Sequence, residues 1–314
     1  MKRFLFLSSL ALAISLIACE DGRRLSPIAP DDAGIFENNI VRDTLSKWSP
    51  YIGIHATGEA IDAYRDALIL LKRTGNVKGV RVEIVKREGI NPVIKMIGQL
   101  GDIDLLGLIA NDYLINNLNL EQDIDQIFAA YPEIHYFQVG NEFTTLGGST
   151  KTIEEYMTSL KKIYAHVQNR YPGRAVLLTQ STLGSGLYGP KELEKMVNLG
   201  LAQMDPNKII IAINSYDPNN TSQYIGILNG PLVRYRVWVT ETGENNPEFQ
   251  ISYVQNNYGR NGPFQNYLRA ERVYWYVMWG GNNPPDSGFS LIKNPGSFPN
   301  YWKSPLFKLL TESR

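Results

Sequence analysis

The sequence predicts an α/β chain folded as a single (β/α)8 TIM barrel, and three observations carry that expectation. Eight short apolar runs recur along the chain, amphipathic stretches separate them, and roughly 265 residues remain after the N-terminal segments, close to the size such a barrel needs. The runs are YIGIHA (51–56), VKGVRVEIV (77–85), DLLGLIAN (104–111), IHYFQVGNE (134–142), AVLLTQS (175–181), KIIIAINSY (208–216), RVWVTE (236–241) and RVYWYVMWG (272–280). Most are continuous in apolar residues, as parallel strands covered on both faces must be.

The helices follow from the spacing between these runs. Ile61, Tyr64, Leu68 and Leu71 make one apolar face, which Thr74-Gly75-Asn76 then stops. Helices are also expected at NPVIKMIGQL, LEQDIDQIFAAY and PKELEKMVNLGLAQM, after the second, third and fifth strands. After the fourth, Ile153, Tyr156, Met157, Leu160, Ile163, Tyr164 and Val167 repeat with the helical period. The unit after strand six is short, around SQYIGILNG, and the segment after strand seven is long and rich in Gly and Asn before QNYLRAER. An open doubly wound sheet is the rival architecture, but no Gly-rich turn follows the first strand and eight strands would have to be accommodated.

The first residues stand apart from the fold. Lys2 and Arg3 precede the apolar run FLFLSSLALAISLIA, which reads as a signal segment over 1–18 and falls short of the roughly 20 residues a bilayer span needs. It ends in LIAC, which resembles the lipobox of bacterial lipoproteins, and this implies cleavage before Cys19 and lipidation of its thiol. Residues 19–47 then form a tether and lead-in, and 48–314 the barrel domain. A plain secretory signal with an incidental cysteine is the alternative.

Composition excludes several functions. Cys19 is the only cysteine, so an acylated chain has no thiol for a disulfide, a zinc site or nucleophilic catalysis. His55, His135 and His166 lie far apart without metal-ligand spacing, and no metal or cofactor is expected. Lys plus Arg and Asp plus Glu both number 31, with no long run of either sign, so there is no electrostatic footprint for nucleic acid. A neutral partner is the natural inference, and 18 Tyr and 5 Trp offer flat faces suited to sugar rings or simply to a packed core.

In this architecture functional groups sit where strands end, because that face is built from the variable loops. Strand four ends Gln138-Val139-Gly140-Asn141-Glu142, and strand seven ends Trp238-Val239-Thr240-Glu241-Thr242-Gly243. A carboxylate after a buried strand is costly unless solvated or paired, so each glutamate should open into a cleft. Strands four and seven are three apart around the ring, so these side chains can meet across it. Glycoside hydrolysis needs such a pair, one carboxyl to protonate the leaving oxygen and one to attack or direct water. Either glutamate alone could instead cap its strand or pair with a basic neighbour.

The Asn141-Glu142 pair and Glu241 resemble the signature of clan A, the retaining barrel glycosidases that include cellulases, mannanases and β-glucanases. The resemblance covers the barrel as topology and four or five short segments as motif. It implies Glu142 as acid/base, Glu241 as nucleophile, and Asn141 as a hydrogen-bond partner of the sugar 2-hydroxyl. Arg81 in GVRVEI resembles the arginine that holds the nucleophile ionised, although it could simply pair with Glu83. Tyr216 resembles a tyrosine that donates to the nucleophile, and Trp279 the tryptophan beneath the sugar, a role open also to Trp275. His55, Asn111 and Asn214 complete the candidate substrate contacts. Many members carry histidine where Asn214 stands, and some where Asn111-Asp112 stands, which leaves subfamily and sugar open.

The resemblance thus implies a monomeric, retaining hydrolase of β-linked oligo- or polysaccharides, tethered in the bacterial cell envelope through its N-terminal lipid. Two other readings use the same barrel: a carbohydrate-binding or adhesion lipoprotein without activity, and a transglycosylase in which a sugar hydroxyl replaces water. NNTS at 219–222 contains a glycosylation sequon but reads as a loop, and GGST has no P-loop lysine. Phe289, Phe298 and Trp302 follow strand eight and either line a subsite or pack the barrel end.

Overall fold

A computed structural model describes residues 51–54, 60–86, 89–144, 151–183, 188–258, 261–282 and 286–312. The signal segment, Cys19, the tether and His55 lie outside the described residues. The barrel strands are β1 (Tyr51–Ile54), β2 (Gly79–Ile84), β3 (Asp104–Ile109), β4 (Tyr136–Val139), β5 (Val176–Leu178), β6 (Ile209–Asn214), β7 (Arg236–Thr242) and β8 (Ala270–Trp275). Each pairs in parallel with the next, β8 returns to β1 through Tyr51 and Tyr274, and β5 meets β6 through Leu177 and Ile209. The ring is therefore closed, as a (β/α)8 barrel requires.

The helices of five residues or more are α1 (Ile61–Arg73), α2 (Pro92–Leu100), α3 (Leu120–Ala130), α4 (Ile153–Arg170), α5 (Tyr188–Asn198), α6 (Ile225–Asn229), α7 (Gln250–Asn257) and α8 (Pro305–Thr311). None of them, within the described residues, is long and apolar enough to cross a membrane. Three of their starts are written in short polar residues. Asn91 accepts from the Val93 N–H with Pro92 next in line, Ser304 accepts from the Phe307 N–H, and Thr152 with Glu155 forms a reciprocal capping box. The short unit after β6 is a 3-10 stretch, Pro218–Tyr224, leading into α6.

Two boundaries differ from the sequence pattern for identifiable reasons. The run AVLLTQS forms only a three-residue strand, because the Thr179 hydroxyl accepts the Ala212 N–H that a ladder carbonyl would otherwise take. Pairing with β6 resumes further on, at Thr182–Leu183. In the long segment after β7, α7 occupies Gln250–Asn257, whereas QNYLRAER contributes one helical turn and the start of β8. There Arg269, at φ 53°, turns the chain and donates to the carbonyls of Leu228 and Val233.

Apolar packing divides into a large layer between helices and strands and a small cluster inside the ring. The inner cluster comprises Tyr51, Leu106, Leu178, Ile210, Ala212, Trp238 and Tyr274. Below it Arg272 pairs with Asp104 at 2.9 Å, its guanidinium carbon 4.1 Å from the Trp238 ring centre, 4.8 Å from that of Tyr136 and 4.9 Å from that of Tyr51. Planar guanidinium over aromatic faces is a favourable way to place a cation in an apolar ring. This cluster closes the lower end of the barrel and supports the polar layer above it.

Trp238 fills the centre of this cluster and is fully buried. Trp238→Ala is expected to lower the unfolding free energy by about 3–5 kcal/mol, read by urea denaturation. A loss below about 1 kcal/mol would show that the ring interior does not depend on it.

Candidate active site

At the upper end of the ring the interior turns polar. The alternation along β2 that faces Gly79 inward also faces Arg81 and Glu83 inward, and β4, β6 and β7 contribute Gln138, Asn214 and Glu241. Arg81 is buried and uses its fork three ways: Nη1 lies 2.8 Å from Glu241 Oε1, Nη2 donates to Asn141 Oδ1 at 3.1 Å, and Nε donates to Gln138 Oε1 at 2.8 Å. The other Glu241 oxygen accepts from the Tyr216 hydroxyl at 2.7 Å. Arg81 is thus engaged by Glu241, not by Glu83, as its principal ion-pair partner.

The exit of β4 is shaped to carry Glu142. Gly140 has φ +77°, and a Cβ there would stand 2.9 Å from Leu114 Cδ1 and 3.0 Å from Asn111 Oδ1, so this turn requires glycine. Glu142 itself holds φ 44°, a left-handed conformation that non-glycine residues rarely adopt. The neighbouring chain holds it there. Asn111 brackets the Asn141 peptide, accepting from its N–H at 2.9 Å and donating to its carbonyl at 2.7 Å. The Glu142 N–H reaches the Ser181 carbonyl, and the Phe143 N–H reaches the Gln180 side chain.

Asn141 Oδ1 accepts from Arg81, from Asn214 Nδ2 at 3.3 Å and from the Ser181 hydroxyl. Because its partners there are donors, the amide orientation is fixed and Nδ2 is the group left to donate. Asn214 also donates to Glu142 Oε1 at 2.7 Å, while its own Oδ1 accepts from Thr240. One chain of contacts therefore runs from Glu241 through Arg81, Asn141 and Asn214 to Glu142.

The two glutamates share a cavity of about 470 Å³, walled also by Arg81, Glu83, Asn141, Tyr216, Tyr276, Asp286 and Phe289. Burial pushes the Glu142 carboxyl up to about 7, and the Glu241 charge adds to this; the Asn214 N–H and Arg81 oppose it. Burial, and then Glu241, holds the Tyr216 phenol well above its ordinary range, which keeps it a donor. Tyr216, Tyr276 and Phe289 pack against one another at centroid distances of 5.3 to 5.7 Å, giving the cavity an aromatic side.

Of the residues singled out from sequence, Glu142, Glu241, Arg81, Asn141 and Tyr216 come together at this cavity. Asn111 and Asn214 stand behind it, holding Asn141 and Glu142. Trp279 does not line the cavity: it packs on the outer apolar layer, beyond the end of β8. Trp275 is buried and donates to the Phe289 carbonyl at 2.8 Å, supporting that aromatic from behind. The strand period explains the difference, since Arg272, Tyr274 and Tyr276 alternate toward the interior, and Tyr276 reaches the cavity. Phe298 and Trp302 are partly exposed and do not border it. Gln138, Ser181 and Thr240 also belong to the site, and only the same alternation would have flagged Gln138.

No protein-family model matches the chain. No curated protein matches it in sequence. Among solved structures, it is similar to a β-mannanase from Thermomonospora fusca, with TM-score 0.55, 12% identity, and 85% of this chain and 92% of that one covered. It is also similar to Saccharomyces cerevisiae Gas2p in complex with laminaritriose and laminaritetraose, with TM-score 0.53, 14% identity, and 84% and 63% covered. A third is an FMN-binding β-glucuronidase from Facaelibacterium prausnitzii L2-6, with TM-score 0.53, 11% identity, and 84% and 43% covered, so this chain spans less than half of that protein. At these identities the likeness establishes a shared (β/α)8 barrel fold.

Proposed function

We propose that the chain is a glycoside hydrolase that cleaves β-linked oligo- or polysaccharides with retention, Glu241 acting as nucleophile and Glu142 as acid/base. One observation carries the reading: two carboxyls share one cavity in opposite electrostatic settings. Glu241 is bracketed by a guanidinium and a phenol, one on each carboxylate oxygen, which aims both. Glu142 is buried beside that negative charge and retains its proton toward neutral pH. The structural neighbours include glycosidases and a protein bound to β-linked glucose oligomers, which supports a carbohydrate partner.

The chemistry follows from these settings. Glu142 gives its proton to the departing glycosidic oxygen as a Glu241 oxygen bonds to the anomeric carbon and the C–O bond to the leaving group breaks. Glu142, now ionised, takes a proton from water, whose oxygen attacks the anomeric carbon and releases Glu241. Asn141 Nδ2 donates to the 2-oxygen of the sugar, while Asn214 holds Glu142 through its Oε1. Asn111 and Asn214 act as positioning residues. We further propose that Cys19 carries lipid and holds the enzyme in the cell envelope; loss of radiolabelled palmitate incorporation in Cys19→Ala is the expected result, and retained label would refute it.

Glu241→Ala is expected to abolish turnover of aryl β-glycosides, and proton NMR of the first-formed sugar should show the β anomer; substantial activity or the α anomer would overturn the assignment. Glu142→Ala should slow glycosides with poor leaving groups by about 10²–10⁴-fold while largely sparing activated ones, and equal losses would count against an acid role. Stability offers an independent reading. Between pH 4.5 and about 7 the folded chain keeps a proton on Glu142 that the unfolded chain has released, so stability falls as pH rises through that window. Above it, Glu142→Gln is expected to be more stable than the parent by roughly 3 kcal/mol, with the gap closing at acid pH. Urea denaturation across pH reads this directly, and a gap independent of pH would contradict it.

A further inference from the structure

One wall of the cavity carries a carboxyl that the chemistry above leaves unused. The helical turn Asp286–Phe289 follows β8 and is fastened from three sides. Gly280 lets its backbone close in, since a Cβ there would meet the Asp286 carbonyl; Gln250 of α7 donates to the Gly288 carbonyl at 3.2 Å, and Trp275 of β8 donates to that of Phe289 at 2.8 Å. The turn thus presents Asp286 and Phe289 to the cavity together, an acceptor beside an aromatic face. Tyr276 hydrogen-bonds Asp286. Burial, followed by the Glu241 and Asp286 charges, holds the Tyr276 phenol above its ordinary range, so the phenol donates and the carboxylate accepts.

A hydroxylated ring suits such a wall. A carboxylate accepts several hydrogen bonds through its two oxygens, and the Tyr276 phenol supplies one, so Asp286 keeps capacity for ring hydroxyls. A carboxylate on the sugar does not suit it. Among the described residues Arg81 is the only cation lining the cavity, and its three nitrogens are engaged by Glu241, Asn141 and Gln138. An anionic ring substituent would therefore face Asp286, Glu83 and Glu241 with Arg81 already taken. We infer that Asp286 is a sugar-binding residue that sets the charge class of the substrate: the ring held in this cavity is uncharged, it offers hydroxyls to Asp286, and β-linked uronic acids are refused. The inference deepens the glycosidase reading and rests on its placing a sugar ring between Glu142 and Glu241. Selection here is a difference of two affinities, raised for one ring by hydroxyl donors and lowered for the other by like-charge repulsion.

Saturation-transfer NMR on the full chain tests this without turnover. The probes are the methyl β-glycosides of glucose, mannose and galactose, each beside its counterpart with a carboxylate at C6. In the parent at least one neutral glycoside is expected to bind, and its uronide to bind about tenfold more weakly or worse. Asp286→Asn removes the charge and keeps an acceptor. The preference for the neutral glycoside should then shrink by about tenfold, the uronide gaining as the neutral ring loses a charged partner. Asp286→Glu, which keeps the charge, should still refuse the uronide. A uronide bound by the parent as well as its neutral counterpart, an unchanged preference in Asp286→Asn, or no binding of any neutral glycoside would overturn the inference. The comparison in the parent decides the matter even where a variant fails to fold. Binding of neutral glycosides without cleavage of any would count against the hydrolase reading alone, and cleavage of a β-uronide against this inference alone.

Discussion

The pairing of Arg81 with Glu241 at 2.8 Å, with both side chains under a tenth exposed, constrains more of this molecule than any other contact. Removing two charges from water costs several kcal/mol each, and their attraction offsets this only when their remaining donors and acceptors are also met. The surrounding residues meet that demand. Gln138 takes Arg81 Nε, Asn141 takes Nη2, and Tyr216 satisfies the second carboxylate oxygen. Ser181, Thr240 and Asn214 then anchor these partners in turn. Strands β2, β4, β6 and β7 must keep one register for the network to close, so the polar layer fixes the ring as much as the ring fixes the layer.

The same network separates two chemically identical side chains. Glu241 faces a cation and a phenolic donor, whereas Glu142 faces an amide, a buried wall and the Glu241 carboxylate. Strand chemistry alone does not distinguish them, since each follows an apolar run. Their surroundings do, and those surroundings come from strands remote in sequence.

The eight strands were legible because a doubly covered parallel strand has to be apolar nearly throughout, and the two glutamates stood out as charges ending such runs. Arg81 was legible for the same reason, as a cation inside VKGVRVEIV. The break after Leu178 was not, because it depends on a hydroxyl of Thr179 intercepting an amide of another strand. Nor was the aromatic wall: resemblance favoured a tryptophan, but the inward period of β8 delivers Tyr276, and Phe289 arrives from a later turn. Asn111 and Asn214 were marked as sugar contacts by position, yet their bonds run to Asn141 and Glu142.

The aromatic cage around Arg272 gives the barrel a floor. A ring sealed below is a blind cup: nothing can be threaded through it, and whatever enters must depart by the rim it crossed. A long polymer would therefore have to lie across the lip, with only one bend dipping inward. The rim loops, more than the strands, would then govern how quickly anything bound there is let go.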